Sequence, residues 1–451
     1  VSNKHLFPPD FLWGAATSAF QIEGSPLADG AGPSIWHRFA HTPGKIADGS
    51  HADVACDHYR RFVEDVRLMR ELGLNAYRFS ISWSRVLPEG TGRRNQAGID
   101  FYLRLVDTLL EHQIRPMATL YHWDLPAALE DRGGWADERS AGWFAEYAEL
   151  MYRALGDRVP FWATINEPWV IVDAAYVHGQ HAPGRRDWSE AVAVARNLLR
   201  AHAAAVEAYR AGWDQAIGLV VNLVPIEPAS ESEADVGAAR RFDAYLNRQF
   251  LDAAVLGQTP VELPEMFGSA WSDWQPGELD RIRQPLDFFG VNYYLRLVVQ
   301  EDAAGGPARA SAVQRPNCPS TAMGWEIFPQ GLTNTLQWVK NRYGDLPLYI
   351  TENGAAFDDA VLPNGSIEDT QRVQYLVEHL RAARQAIEAG VDLRGYFVWS
   401  LLDNFEWACG HAKRFGIVYV DFATQRRVPK ASARFYAKVI RSRGAALNEE
   451  R

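Results

Sequence analysis

Cysteine is scarce in this chain: three in 451 residues, at Cys56, Cys318 and Cys409. So odd and sparse a set supplies no disulfide framework and no paired spacing for zinc, which fits a reducing compartment. Long apolar runs are missing too. No stretch of about 18 apolar residues occurs, so no membrane span is expected. Positive charge is the minority sign, with 46 Lys and Arg against 56 Asp and Glu and a net charge of −10. Without a basic stripe to pair with phosphates, a nucleic-acid partner is excluded; Arg93-Arg94 and Arg185-Arg186 read as solvated loop charges. No G-x-G-x-x-G turn follows an early strand, which argues against a dinucleotide-binding fold. The 12 histidines are scattered and form no H-E-x-x-H, so neither a metal nor another cofactor is expected. Low-complexity tracts and Pro/Gly/Ser linkers are absent. The opening residues Val1-Ser2-Asn3-Lys4-His5 lack the apolar core of a signal peptide, and a cytoplasmic protein is the expectation.

Hydrophobic residues make up 47% of the chain, enough for a substantial core. Strand-like runs are read at Phe11–Ala16, Ala76–Ile81, Arg115–Tyr121, Trp162–Asn166, Ile217–Leu223, Phe288–Tyr293, Leu348–Thr351 and Gly395–Trp399. Between them lie stretches with apolar residues at helical spacing: Asp53–Leu72, Ile99–His112, Glu138–Leu155, Glu190–Tyr209, Ala234–Phe250, Gly331–Tyr343, Thr370–Ala389 and Ser432–Arg441. Eight strands, each followed by a helix, predict an α/β fold: a (β/α)8 TIM barrel forming one domain over residues 1–451. Glu301–Asn317 and Asp358–Ile367 read as long surface insertions among the βα loops.

Two strand-like runs close on a carboxylate beside an asparagine. One is Phe161-Trp162-Ala163-Thr164-Ile165-Asn166-Glu167-Pro168; the other is Leu348-Tyr349-Ile350-Thr351-Glu352-Asn353-Gly354. Two carboxylates at the mouth of one scaffold are what acid-assisted glycoside cleavage needs, one to protonate the leaving oxygen and one to attack or assist. The predicted strand ends also supply Gln21, Arg78, His122-Trp123, Asn292 with Tyr294, Trp399 and Glu406-Trp407. Hydroxyl-binding polar groups mixed with indole planes suit a sugar ring, which has polar edges and an apolar C–H face.

Over nearly its whole length the chain resembles glycoside hydrolase family one. The resemblance is carried by Phe11-Leu12-Trp13-Gly14, Gln21-Ile22-Glu23-Gly24, Tyr77-Arg78-Phe79-Ser80, Tyr121-His122-Trp123-Asp124, Asn166-Glu167-Pro168, Gly290-Val291-Asn292-Tyr293-Tyr294, Thr351-Glu352-Asn353-Gly354 and Trp399-Ser400-Leu401-Leu402-Asp403-Asn404-Phe405-Glu406-Trp407. It implies a retaining double displacement on terminal β-D-glucosyl groups, with Glu352 as nucleophile and Glu167 as acid and base. It further implies that Arg78 and Tyr294 support Glu352 and that Asn166 meets the 2-hydroxyl. Gln21, His122, Trp123, Asn292, Glu406 and Trp407 would hold the sugar, Trp399 would lie beneath the ring, and Trp325, with Trp169, would face the aglycone. Small β-glucosides or cello-oligosaccharides are the implied partners. Glu406, where the phosphosugar branch of the family has a serine, favours an unphosphorylated sugar; Lys413 keeps that branch's lysine, but Phe415 replaces its tyrosine. Cys409 and His411 depart from the family pattern and point to an altered pocket rim. β-Galactosidase or β-fucosidase preference and a catalytically silent sugar-binding barrel are the alternatives.

Overall fold

The computed structural model describes residues 6–449. Eight parallel strands close into a barrel in sequence order: β1 (Leu12–Ala16), β2 (Ala76–Ser80), β3 (Arg115–Tyr121), β4 (Phe161–Asn166), β5 (Ala216–Asn222), β6 (Phe288–Asn292), β7 (Leu348–Asn353) and β8 (Leu393–Trp399). β8 returns to β1 in a continuous register, from Leu12 opposite Gly395 to Ala16 opposite Trp399. The returning helices are α1 (His58–Glu71), α2 (Gln96–Glu111), α3 (Ser140–Leu155), α4 (Trp188–Arg210), α5 (Glu233–Asp243), α6 (Pro329–Tyr343), α7 (Thr370–Glu388) and α8 (Ala431–Arg441). This is the (β/α)8 barrel that the alternating pattern predicts.

Side-chain alternation divides the core in two. Leu12, Ala16, Ala76, Met117, Phe288, Tyr349, Phe397 and Trp399 fill the barrel interior. Their strand neighbours, among them Trp13, Tyr77, Phe79, Leu120 and Trp162, pack outward against the helices. With both faces covered, the strands read as near-continuous apolar runs. The helices need only one apolar stripe: on α2, Ile99, Phe101, Tyr102, Leu105, Val106 and Leu109 are buried. Among the described residues no helix is long and apolar enough to cross a membrane.

The strand and helix bounds differ from the sequence reading where local backbone intervenes. The helix expected from Asp53 starts only at His58, because Ala55 and Asp57 adopt left-handed backbone at φ 45° and 50°. The one expected over Ala234–Phe250 begins at Glu233 and continues past α5 to Leu256 through two wider turns, Ala244–Arg248 and Asp252–Leu256. Strand β7 runs two residues beyond Thr351, so Glu352 lies inside it.

The expected insertions are also partly built in. Leu297–Glu301 and Ala310–Ala312 join Ile226–Pro228 in a three-stranded sheet. In the second segment Ile367 is buried, and the Asp359 carboxylate, 1% exposed, meets Arg372 at 2.9 Å and Lys430 at 2.5 Å. A surface loop has no need of such an ion pair; this one is pinned under the chain that follows β8.

Candidate active site

The strand ends open into a cavity of about 340 Å³. Ten of the predicted site residues line it: His122, Trp123, Glu167, Asn292, Tyr294, Trp325, Glu352, Trp399, Glu406 and Trp407. The other three, Gln21, Arg78 and Asn166, stand buried behind the wall and touch residues that do line it.

Glu167 and Glu352 reach the cavity through irregularities in their strands. In β7, Tyr349 points into the barrel and Ile350 outward, so strict alternation would send Glu352 to the helix side. The pairing of β7 with β6 shifts register between Ile350 and Glu352, and both Thr351 and Glu352 turn inward. A similar shift in β4, between Ala163 and Asn166, brings Asn166 inward. Glu167 follows with φ 47°, and Pro168 opens a short helical turn. Proline lacks the N–H a further strand residue would need, and its fixed φ suits a first helical position. Trp123 and Trp407, also on the cavity wall, share left-handed backbone at φ 78° and 47°. Positive φ at non-glycine residues is strained, and here it aims three side chains into one space.

Glu352 accepts from Arg78 Nη1 at 2.6 Å on one oxygen and from Tyr294 Oη at 2.6 Å on the other. Burial raises its carboxyl above the ordinary range, and the Arg78 cation and the Tyr294 hydrogen bond act against that rise. Glu167 has one close neutral donor, Asn292 Nδ2 at 2.7 Å. Burial first, then the Glu352 charge, pushes Glu167 up to about 8. Glu352 thus has a cation and a phenol opposing its protonation, whereas Glu167 has one neutral donor and a neighbouring charge that favours its protonated form.

The amides between them have determined orientations. Thr351 Oγ1 donates to Asn292 Oδ1 at 2.7 Å, which turns the Asn292 NH2 toward Glu167. Asn166 Oδ1 accepts from Arg78 Nη2 at 2.7 Å and from Asn292 at 3.1 Å. Its NH2 therefore donates to His122 Nε2 at 3.1 Å. That leaves the hydrogen of His122 on Nδ1, which has no protein partner. Burial, with the Arg78 charge, drives this imidazole far below its usual pKa, so it is neutral. A buried donor without a partner on a cavity wall suits a ligand hydroxyl.

His122 also stacks between indoles, 5.7 Å from Trp399 and 5.9 Å from Trp407. Gln21, fully buried, donates to the Phe405 carbonyl at 2.9 Å and to Glu406 at 3.3 Å. Burial and the Glu352 charge push Glu406 up to about 8. Near neutral pH it therefore carries its proton, so charge repulsion from Glu406 alone would not exclude a sugar phosphate. Lys413 donates to the Ala322 carbonyl at 2.7 Å, and Phe415 packs on Tyr294 and Trp325.

Trp325 lies 5.4 Å from the Tyr294 ring, and Val170, Leu246, Leu297 and Met323 add apolar wall. Trp169 lines the cavity, as does Cys409; His411 does not, and packs on Phe405 and Phe422 instead. Two polar lining residues escaped the sequence reading, Asn222 and His181. Asn222 ends β5 as Asn166 ends β4 and Asn292 ends β6, so that signal was present; His181 sits in an irregular loop with none. Among the described residues, the grouping of three imidazole and carboxylate atoms close enough to share an ion lies elsewhere, at His37, His41 and Asp53.

Comparison with known proteins agrees in fold and extent. The model of glycosyl hydrolase family 1 matches residues 3–445. The chain is 51% identical over 444 residues to β-glucosidase A of Thermotoga maritima, covering 98% of this chain and 99% of that one. It is also 51% identical over 440 residues to a 1,4-β-D-glucan glucohydrolase of Thermotoga neapolitana, covering 97% and 99%. The solved structure of the Thermotoga maritima β-glucosidase in complex with glucoimidazole superposes with a TM-score of 0.95 at 50% identity, covering 98% of this chain and 99% of that one.

Proposed function

The chain belongs to glycosyl hydrolase family 1 and is a retaining β-glucosidase, and we propose that Glu352 is its nucleophile and Glu167 its acid and base, within a single catalytic domain. The observation that carries the assignment is the unequal support of the two carboxyls. Two donors, one of them a cation, favour the Glu352 anion, while burial and the Glu352 charge keep Glu167 protonated.

In the first step a Glu352 oxygen attacks the anomeric carbon as Glu167 gives its proton to the glycosidic oxygen. The C–O bond breaks, the aglycone leaves as an alcohol, and a glycosyl ester remains on Glu352. Tyr294 lies on the cavity wall and Arg78 behind it, so the guanidinium partners Glu352 from the protein side while the phenol faces the substrate. In the second step Glu167, now ionised, takes a proton from water, the hydroxide attacks the same carbon, and Glu352 is released. The Nδ1–H of His122 and the carboxyl of Glu406 serve sugar hydroxyls, and Trp399 and Trp407 offer apolar faces to the ring. Trp169, Trp325, Val170, Leu246 and Met323 suit an apolar aglycone or a following glucose. Free thiols at all three cysteines support a cytoplasmic location.

The test is Glu352→Ala. Hydrolysis of nitrophenyl β-glucoside is expected to fall by at least about 10³-fold, and azide is expected to restore turnover as the α-glucosyl azide. Near-normal hydrolysis without azide would overturn the nucleophile. On the unaltered enzyme, a β-galactoside or β-fucoside cleaved with higher kcat/KM than the β-glucoside would overturn the sugar preference alone.

A further inference from the structure

We propose that His37, His41, His51 and Asp53 form a binding site for a borderline divalent transition-metal ion of the zinc class, outside the catalytic cavity. His37 lies on the short helix Ile35–Ala40 and His41 closes it one turn later. A loop then carries the chain to His51 and Asp53. Ligand atoms of His37, His41 and Asp53 lie within 4.8 Å of one another. Bonds of about 2.0–2.1 Å to a tetrahedral ion put ligand atoms roughly 3.3 Å apart, which small side-chain rotations reach.

The hydrogen bonds already distribute protons as a metal site does. His41 Nδ1 is 2.7 Å from the His37 carbonyl, an acceptor only, so the hydrogen of a neutral His41 ring is on Nδ1. Its Nε2 lone pair then faces Asp53 Oδ2 at 3.2 Å. His51 Nδ1 approaches the same oxygen at 3.4 Å, and its ring stacks on His41 at 5.0 Å and 18°. The His41 Nε2 lone pair and the carboxylate oppose one another unless a cation, a proton or a metal ion, lies between them. An imidazole whose other nitrogen donates to a backbone carbonyl is the usual metal-bound form. Arg38, the nearest fixed cation in sequence, is turned away to Asp131 at 2.6 and 2.8 Å. Three imidazoles and one carboxylate select zinc, nickel or copper over magnesium or calcium. With His41 and Asp53 39% and 38% exposed, an ion enters from solvent.

The site clasps both ends of a loop that supports the cavity rim. Ala47 N–H donates to the Ala408 carbonyl at 2.8 Å, and Asp48 accepts from the His411 N–H at 2.7 Å. Ala408 and Cys409 line the cavity. A bound ion would hold this loop against the rim without taking part in the reaction.

The test is titration of untagged, chelator-stripped protein with zinc chloride in a calorimeter, paired with thermal melts. One zinc per chain is expected, with Tm raised by about 2 °C or more at zinc a hundredfold above Kd, and no response to magnesium. His41→Ala and the near-isosteric Asp53→Asn are each expected to weaken zinc at least about tenfold and so to cut the Tm rise at the same zinc concentration by about half or more, with hydrolysis in the absence of zinc unchanged. His178→Ala, a half-exposed histidine outside the cluster, is expected to bind as the unaltered protein does. Absence of saturable zinc binding overturns the proposal, as does binding that survives His41→Ala and Asp53→Asn.

Discussion

At Glu352 each carboxylate oxygen has its own donor at 2.6 Å, whereas Glu167 meets a single amide, and this asymmetry converts one side-chain type into two roles. The pH dependence follows. The nucleophile must be ionised, so activity rises as Glu352 loses its proton; the acid must be protonated, so activity falls as Glu167 loses its own. With Glu167 near 8, the alkaline limb of kcat/KM is expected near pH 8. Because the two groups interact, that limb belongs to the pair. Glu167→Gln is expected to remove the limb. It should cost about 10²–10⁴-fold on an alkyl glucoside, and less than about tenfold on dinitrophenyl glucoside, whose leaving group departs without a proton. Equal losses on both substrates, measured as kcat/KM, would contradict the acid role.

At the scale of the element, the barrel interior is closed by pairing large residues with glycine. Gly14 on β1 stands directly opposite Phe397 on β8, and a Cβ on Gly14 would sit 2.3 Å from the Phe397 ring. Gly354, just beyond β7, lies against the Trp399 carbonyl, where a Cβ would come within 1.6 Å of the oxygen. Backbone cannot move aside as a ring can, so any side chain at position 354 would push the Glu352 strand end away from the Trp399 backbone. Gly14→Ala is expected to destabilise the fold by about 1–3 kcal/mol, read as a lower Tm, with Phe397→Leu in the same chain restoring part of the loss. An unchanged Tm in Gly14→Ala would show that the ring yields freely. The register shifts in β4 and β7 belong to this scale as well: without them Asn166 and Glu352 would face the helices.

Across the whole molecule, a cavity built for chemistry stores carboxyls the fold would otherwise keep in water. Glu167 and Glu406 both stand near 8, against an ordinary value of 4.5. Their pKa is raised on folding, so their contribution is fully present below about pH 4.5 and is lost as pH rises toward 8. A shift of that size corresponds to a few kcal/mol, at about 1.4 kcal/mol per pKa unit. Glu406→Gln, neutral at every pH, is therefore expected to match the unaltered protein in Tm near pH 4.5 and to exceed it progressively up to pH 8–9. A Tm difference that stays constant across that range would contradict the raised Glu406 carboxyl. Behind the barrel mouth one buried charge cluster is compensated: Lys430, fully buried, pairs with Asp359 at 2.5 Å and Asp403 at 2.7 Å, joining the loop after β7 to the chain after β8 and the start of α8.

Much of this protein is determined locally. Alternation of apolar strand runs with helical stripes is a property of consecutive residues, so Phe288–Tyr293 or Gly395–Trp399 can be read as strands, and eight such units imply the barrel. The two Asn-Glu and Glu-Asn motifs are equally local, as is Asn222, whose place at a strand end repeats theirs. Tertiary structure alone decided which way those residues face. The inward turn of Glu352 depends on how β7 pairs with β6, and that of Glu167 on left-handed backbone held by its surroundings. It also decided that Gln21, Arg78 and Asn166 stand behind the cavity wall and that His181 lies on it. The burial of Asp359 in an expected surface loop and the convergence of His41 and His51 on Asp53 are of the same kind. Burial, orientation and charge environment are relations between residues far apart in the chain, and they exist only once the barrel closes.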